Sequence, residues 1–171
     1  GAAIGVWGTL WVSSSSEKRA AAKDRQTAND KVLKELEDSI TAINKKCRQI
    51  ENISLSEWRE ADLAGESFKP EHLSKYAFHI PQIEVELSEL DGLAAQLSVN
   101  FGEFYKSAHI DELVEHVRKT SVSPSKYPDR FKSSEDPVRH LELEWQNMHS
   151  HYLDAVSNEL KFYLNQNQRL R

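Results

Sequence analysis

The fold is decided by residues 33–50, which read LKELEDSITAINKKCRQI. The apolar residues of this stretch recur at alternating intervals of three and four, which is the heptad spacing of a helix that packs along one face. This spacing predicts a long helix whose seam, the line of apolar side chains along that face, consists of Leu33, Leu36, Ile40, Ile43, Cys47 and Ile50. Toward the amino terminus the line continues with Asn29, Gln26 and Ala22, so it becomes polar there. We expect the seam to contact either the chain's own helices or a partner.

The composition favours a small protein made of helices. The chain has 171 residues, which is room for one ordinary domain, and only 6 glycines and 5 prolines. A sheet protein of this size would need more turn residues, so the composition predicts an all-α fold. The single cysteine excludes an internal disulfide framework and a Cys-based zinc site. The net charge of −5 argues against bulk binding of nucleic acid.

Two further regions carry heptad seams of their own. The first seam follows Pro81 and consists of Ile83, Leu87, Leu90, Ala94, Leu97, Phe101, Phe104 and Ala108. The second follows Pro137 and consists of Val138, Leu141, Trp145, Met148, Tyr152, Ala155 or Val156, Leu160 and Tyr163. After Ala108 the heptad phase fails, which predicts a kink or break between Lys106 and Asp111.

These patterns together predict an antiparallel helical bundle or coiled coil. Its three long helices are expected at residues 17–64, at 71–119 with breaks, and at 137–168, with a short helix at 70–78. Residues 16–171 are expected to form a single bundle domain. If the second region returns the full length of the first, residues 120–136 lie at the amino-terminal end of the first helix.

Residues 1–12 contain no charged side chain and are followed by four serines. We expect residues 1–15 to be the carboxyl-side part of a truncated transmembrane helix and a serine linker, with Trp7 and Trp11 as anchors at the membrane surface. From Glu17 to Arg25 there are two acidic and four basic residues, Lys18, Arg19, Lys23 and Arg25, and this excess favours a single-pass membrane protein whose soluble part lies in the cytoplasm. The alternatives are an apolar helix end docked on the protein's own core, or the remnant of a signal peptide.

The loop predicted at residues 120–136 interleaves basic and aromatic side chains. Lys126, Tyr127, Arg130, Phe131 and Lys132 are candidates for contact with a membrane surface, since basic residues are attracted to anionic lipid headgroups. An ordinary solvated loop whose aromatic residues pack on the end of the bundle explains the same residues. Nucleic acid is a weaker alternative in an acidic chain.

No motif for catalysis or for a metal ion is found in the sequence. His109, Glu112 and His116 share one helical face, but the Glu-x-x-His and His-Glu-x-x-His motifs are missing. The acidic residues from Glu84 to Asp91 are typical of a solvated face. We therefore expect no catalytic residue, no bound metal and no cofactor.

Two functions from different classes fit this interpretation. The first is a membrane-anchored helical interaction or scaffold protein, non-enzymatic, that docks a protein partner through its bundle or coiled-coil surface. Its partners would be membrane lipid and either another protein or a second copy, and not nucleic acid. The second is a ligand-binding sensory or regulatory bundle outside the cytoplasm. Heptad seams occur in unrelated proteins, so they do not decide between the two.

Overall fold

A computed structural model describes the backbone of residues 2–60, 77–126 and 137–169, and the side chains of residues 15–56, 77–121 and 139–167. Every secondary-structure element of these residues is a helix, which confirms the predicted all-helical bundle. In chain order the elements are α1 (Ala2–Glu60), α2 (Ile80–Asn100), α3 (Gly102–Ser107), α4 (Ile110–Lys126), α5 (Pro137–Asn147), a π-helical segment (Met148–Leu153) and α6 (Asp154–Arg169).

The helices run alternately up and down. Lys46 of α1 contacts Glu89 of α2, and three residues further along α1 the amide of Gln49 lies 3.5 Å from Glu86, three residues back along α2. The two helices are therefore antiparallel. Phe104 of α3 contacts Tyr163 of α6, so the last helix ends at the same end of the bundle at which α2 ends and α4 begins.

The predicted seam of α1 lies inside the bundle. All six of its residues are buried, and five of them belong to one continuous core with α2, α4 and the last helix. Cys47 is part of this core, and its burial raises the pKa of the thiol to about 12. These positions therefore contact the chain's own helices and are not exposed to a partner.

The second predicted helix is a hairpin of helices and not one return path. Phe101 leaves the helical region, with φ −140° and ψ 53°, and His109 has a φ of 52°. The chain reverses between these residues, so that Arg118 of α4 reaches back to Asp91 of α2 at 2.5 Å. Because of this reversal α4 ends beside the carboxyl-terminal part of α1, and the expected placement at the amino-terminal end of α1 is wrong for residues 120–126. Residues 127–136 lie outside the described residues.

The seam of the last helix also differs from the expected one. Between Met148 and Leu153 the helix is of the π type, in which hydrogen bonds join residues five apart. Met148 and Leu153 are both buried as a result, whereas Tyr152, which the heptad spacing placed in the seam, is half-buried. Val156 is buried and Ala155 is exposed.

The predicted serine linker and the described first part of the loop predicted at residues 120–136 are helical. The serines at 13–16 lie within α1, which is continuous from Ala2 to Glu60. Residues 120–126 belong to α4, where Thr120 and Ser121 are buried against the bundle. Packing therefore outweighs the turn-forming composition of this segment.

The prediction of a single-pass membrane protein is wrong. In the part of the chain that the structure describes, no helix combines the length and the apolar character that crossing a bilayer requires. The physical reason is that within the described part of α1 the uncharged residues give way to four serines and then to the charged residues Glu17 and Lys18, which a bilayer core does not accommodate.

Candidate functional site

The helix α2 carries two heptad seams on opposite faces. The inner seam is buried in the bundle and consists of Ile83, Leu87, Leu90, Ala94 and Leu97. The second line of side chains, called here the outer seam, begins in the turn before α2 and also recurs at intervals of three and four. It consists of Phe78, Pro81, Val85, Ser88, Gly92, Ala95 and Val99, which are all exposed. None of these side chains is charged, so α2 presents an uncharged stripe to solvent.

The apolar members of the outer seam are unusually exposed. The exposed fraction is 83% for Phe78, 58% for Val85 and 84% for Val99. A β-carbon added to Gly92 would meet no atom within 4 Å, so the middle of the seam is open. Scattered exposed apolar residues are normal on protein surfaces, but a periodic line of them along one helix is the pattern that another helix recognises.

Acidic side chains flank the outer seam on both sides. The helix α2 has four acidic residues and no lysine or arginine. On the side toward α1, Nζ of Lys46 donates a hydrogen bond to Glu86 over 2.6 Å and another to Glu89, and these bonds raise the pKa of Lys46. On the side toward α4, Arg118 pairs with Asp91. The flanks remain net negative, because the two bases offset only part of the charge.

The amino-terminal part of α1 projects from the bundle. Residues 16–32, called here the extension, are exposed at every position except Asn29, which is half-buried. The first buried residue after it is Leu33, where α1 enters the bundle. The extension corresponds to the region in which the predicted seam turns polar.

The remaining predicted contact residues lie outside the described residues. The side chains of Trp7 and Trp11 are among those that the structure does not describe. The same holds for the side chain of Lys126 at the end of α4, and for Tyr127, Arg130, Phe131 and Lys132 in the segment that follows. The proposed membrane contact of these side chains stays a prediction.

His116 of α4 and His149 of the last helix make contacts at the π-helical segment. His116 stacks on Tyr152 with ring centroids 4.7 Å apart, and its Nε2 lies 3.1 Å from the carbonyl oxygen of Glu144. His149 in the segment itself contacts Glu51 of α1 at 2.6 Å. These contacts join α1, α4 and the last helix. Among the described residues no three or more histidine, cysteine or acidic side chains converge as a metal site would require.

An open cleft of about 800 Å³ lies on α1 beside the start of α2. Its residues include the bases Lys45 and Arg48 and the amides of Asn44, Gln49, Asn52 and Gln82. The side-chain oxygen of Asn44 is buried and has no hydrogen-bond partner in the described part of the chain. The cleft thus combines positive charge with hydrogen-bonding groups.

The outer seam is present in the sequence but was not predicted from it. The stronger inner seam of leucine and isoleucine dominates the heptad pattern of α2 and hides a second line of small and apolar residues five positions away. The signal that could have revealed it is the repeat of Phe78, Val85, Gly92 and Val99 at intervals of seven.

Comparisons with models of protein families, with characterised proteins and with solved structures find no match to this chain. The fold defines an all-helical bundle, and its helix α2 presents an exposed second seam to solvent.

Proposed function

We propose that this chain is a non-enzymatic helical interaction protein, and that the outer seam of α2 docks an α-helix of a protein partner. The observation that carries the proposal is the uninterrupted heptad line of exposed, uncharged side chains from Phe78 to Val99. A helix that packed on this line would bury the three large apolar side chains, each now more than half exposed. Burial of apolar area at about 25 cal/mol per Å² favours that association.

The middle of the outer seam suits a close helix contact. Ser88, Gly92 and Ala95 are small, so the backbone of a docked helix can approach α2 more closely there than at a line of leucines. The larger Phe78 and Val99 stand at the two ends and limit how far the partner can slide. This alternation of small and large residues favours one register of the docked helix.

The charge of the flanks defines the chemistry of the partner. Because α2 bears four acidic residues and no base, a partner helix with lysine or arginine beside its apolar stripe is favoured, and an acidic helix is repelled. The partner is therefore a basic amphipathic helix.

The proposal is tested by replacing Val85 and Val99 together with glutamate in the full chain. The tagged chain is expressed in cells of its source organism, and the native mass of its complex is measured by size-exclusion chromatography with light scattering. We expect the wild-type chain in a complex larger than its own 19.6 kDa and the double variant as a monomer.

The matched controls are Leu143→Glu and Phe162→Glu, because these apolar side chains are 52% and 56% exposed on the last helix. Both controls are expected to behave as the wild-type chain does. A wild-type chain found as a monomer, or an equal loss of the complex in the controls, contradicts the proposed function.

The second candidate function is a regulatory bundle that binds a small ligand. The open cleft on α1 supports it, because basic and amide side chains line this cleft. Its bases and amides suit an anionic ligand such as citrate or phosphate. On this alternative, citrate raises the melting temperature of the wild-type chain and not that of Arg48→Ala. An equal effect on both chains, or none, counts against it.

A further inference from the structure

We propose that the helix docked on the outer seam is the extension of α1 from a second copy of this chain, and that two copies exchange their extensions reciprocally. This inference rests on the proposed function and names its partner. Each chain then supplies both halves of the contact, the seam on α2 and the helix that lies on it.

The extension has the properties of a helix that lacks its partner. Its 17 residues, 16–32, are exposed apart from Asn29, so this part of α1 has little tertiary packing. It spans about 26 Å, which is close to the roughly 32 Å of the 21 residues of α2. A second helix packed along the extension would supply the tertiary contacts that stabilise most helices in proteins.

The extension also has the side chains that the outer seam requires. Ala21, Ala28 and Val32 lie on one face at helical spacing, and Arg25 lies between Ala21 and Ala28 on the same face. Val32 is 45% exposed at the point where α1 enters the bundle. The small residues Ala21 and Ala28 allow a close approach to the outer seam, and the arginine between them has open space over Gly92.

The charges of the two helices are complementary. The extension has five basic and three acidic residues, a net charge of +2, whereas α2 has four acidic residues and no base, a net charge of −4. The basic side chains are Lys18, Arg19, Lys23, Arg25 and Lys31. An extension docked on α2 therefore places bases beside the acidic flanks of the outer seam.

The extension cannot reach the outer seam of its own chain. The contact of Lys46 with Glu86 and Glu89 places Ser88 at the level of Lys46 along the bundle. Ala21 lies 25 residues before Lys46 on the continuous helix α1, which puts Ala21 and Ser88 about 38 Å apart. Two copies joined end to end about a two-fold axis remove this separation, and each extension then runs along the α2 of the other copy. Such an arrangement is closed, because both seams are filled.

The test is cysteine cross-linking in the full chain. Ala21→Cys and Ser88→Cys are made on two differently tagged chains, which are mixed, equilibrated and treated with a short bismaleimide. Cys47 does not compete, because its thiol is buried in the core. We expect a covalent product that carries both tags, with twice the mass of the chain, from the mixture of the two variants. The matched control replaces Ser88→Cys with Ala155→Cys, another small exposed position, on α6.

The outcomes separate this inference from the proposed function. A product from the mixture with Ser88→Cys and none with Ala155→Cys supports the exchange of extensions. No product, or equal yields with both variants, overturns it. The cross-linking experiment can overturn the exchange while the double variant Val85→Glu, Val99→Glu still loses a complex that the wild-type chain forms in cells. In that case the outer seam docks a different polypeptide and the proposed function stands. If neither experiment gives a specific contact, both proposals fail.

Discussion

Lys46 on α1 lies between Glu86 and Glu89 on α2, and its Nζ is 2.6 Å from Oε2 of Glu86. Both side chains of the Lys46–Glu86 pair are more than four-fifths buried, at 15% and 13% exposure. This contact fixes the register of the two antiparallel helices. It also holds the acidic flank of α2 against α1, so that the outer seam points away from the bundle.

The first prediction concerns this ion pair. Lys46→Met leaves the largely buried carboxylate of Glu86 without its base, and we expect the free energy of unfolding to fall by about 1–3 kcal/mol. Urea denaturation followed by circular dichroism measures the change. The control is Lys34→Met, whose pair with Asp38 is 70% and 64% exposed, so that solvent screens the attraction and the loss of the pair changes the free energy of unfolding little. If the free energy of unfolding fell equally in the two variants, the buried pair would stabilise the fold no more than the exposed pair does.

The second prediction concerns the pH dependence of stability through Cys47. Burial raises the pKa of this thiol from an ordinary value of 9.0 to about 12 in the folded chain. Below pH 9 the thiol is protonated in both states and its contribution to stability is complete. Above pH 9 the unfolded chain ionises first, so the free energy of unfolding falls by up to about 1.4 kcal/mol per pH unit until the folded thiol also ionises.

The measurement compares the wild-type chain with Cys47→Ala in urea at pH values between about 8 and 11. Other groups, such as Lys46, titrate in both chains and cancel in the comparison. We expect the wild-type chain to lose stability faster than the variant as the pH rises. Parallel curves of the free energy of unfolding against pH would mean that the thiol has the same pKa in the folded and the unfolded chain, and would contradict the prediction.

The third prediction concerns Gly92 in the middle of the outer seam. Glycine weakens a helix interior, and a side chain at this position meets open space in the single chain. Gly92→Ala is therefore expected to raise the free energy of unfolding by about 0.5–1 kcal/mol. Thermal and urea denaturation at a concentration where the chain is monomeric measure it. A destabilised variant would reveal a close neighbour of Gly92 within the chain.

The fourth prediction concerns the contact that joins α3 to α6. The rings of Phe104 and Tyr163 meet edge to face, with centroids 5.8 Å apart and an angle of 77° between their planes. A double-mutant cycle with Phe104→Leu and Tyr163→Leu is expected to give a coupling energy of about 0.5–1.5 kcal/mol. The same cycle with Phe104→Leu and Phe162→Leu is the control, because Phe162 is exposed. A coupling that is no larger than in this control would remove the ring contact as a stabilising interaction.

The sequence was sufficient to predict the interior of the bundle. The spacing of Leu33 to Ile50 predicted the face of α1 that the structure buries, because a regular helix repeats its direction every seven residues. The seam of α2 from Ile83 to Leu97 follows from the same argument. The break between Lys106 and Asp111 was also predicted, since the heptad phase fails after Ala108, and α3 ends at Ser107 before α4 begins at Ile110. The earlier departure from the helix at Phe101 was not predicted.

The sequence was not sufficient to predict the conformation with which the backbone leaves the regular helix. His109 adopts a positive φ that histidine reaches more readily than most residues, but no glycine or asparagine marks the turn. In the same way the π-helical segment shifts the buried position from Tyr152 to Leu153, and a strict heptad pattern cannot anticipate one additional residue. The outer seam was missed for a third reason, because exposure is a property of the assembled bundle and not of α2 alone.

The central claim, that the outer face of α2 docks a helix, is tested most directly by a scan with a photo-activated cross-linking amino acid. The probe is placed singly at Val85, Ser88 and Val99 on the outer seam and at the exposed positions Leu143 and Phe162 on the last helix. After irradiation in cells, the yield of adducts with a polypeptide is measured at each position. A docked helix predicts high yields at the three seam positions and low yields at Leu143 and Phe162. Equal yields at all five positions, or no adduct from the seam, would contradict the claim.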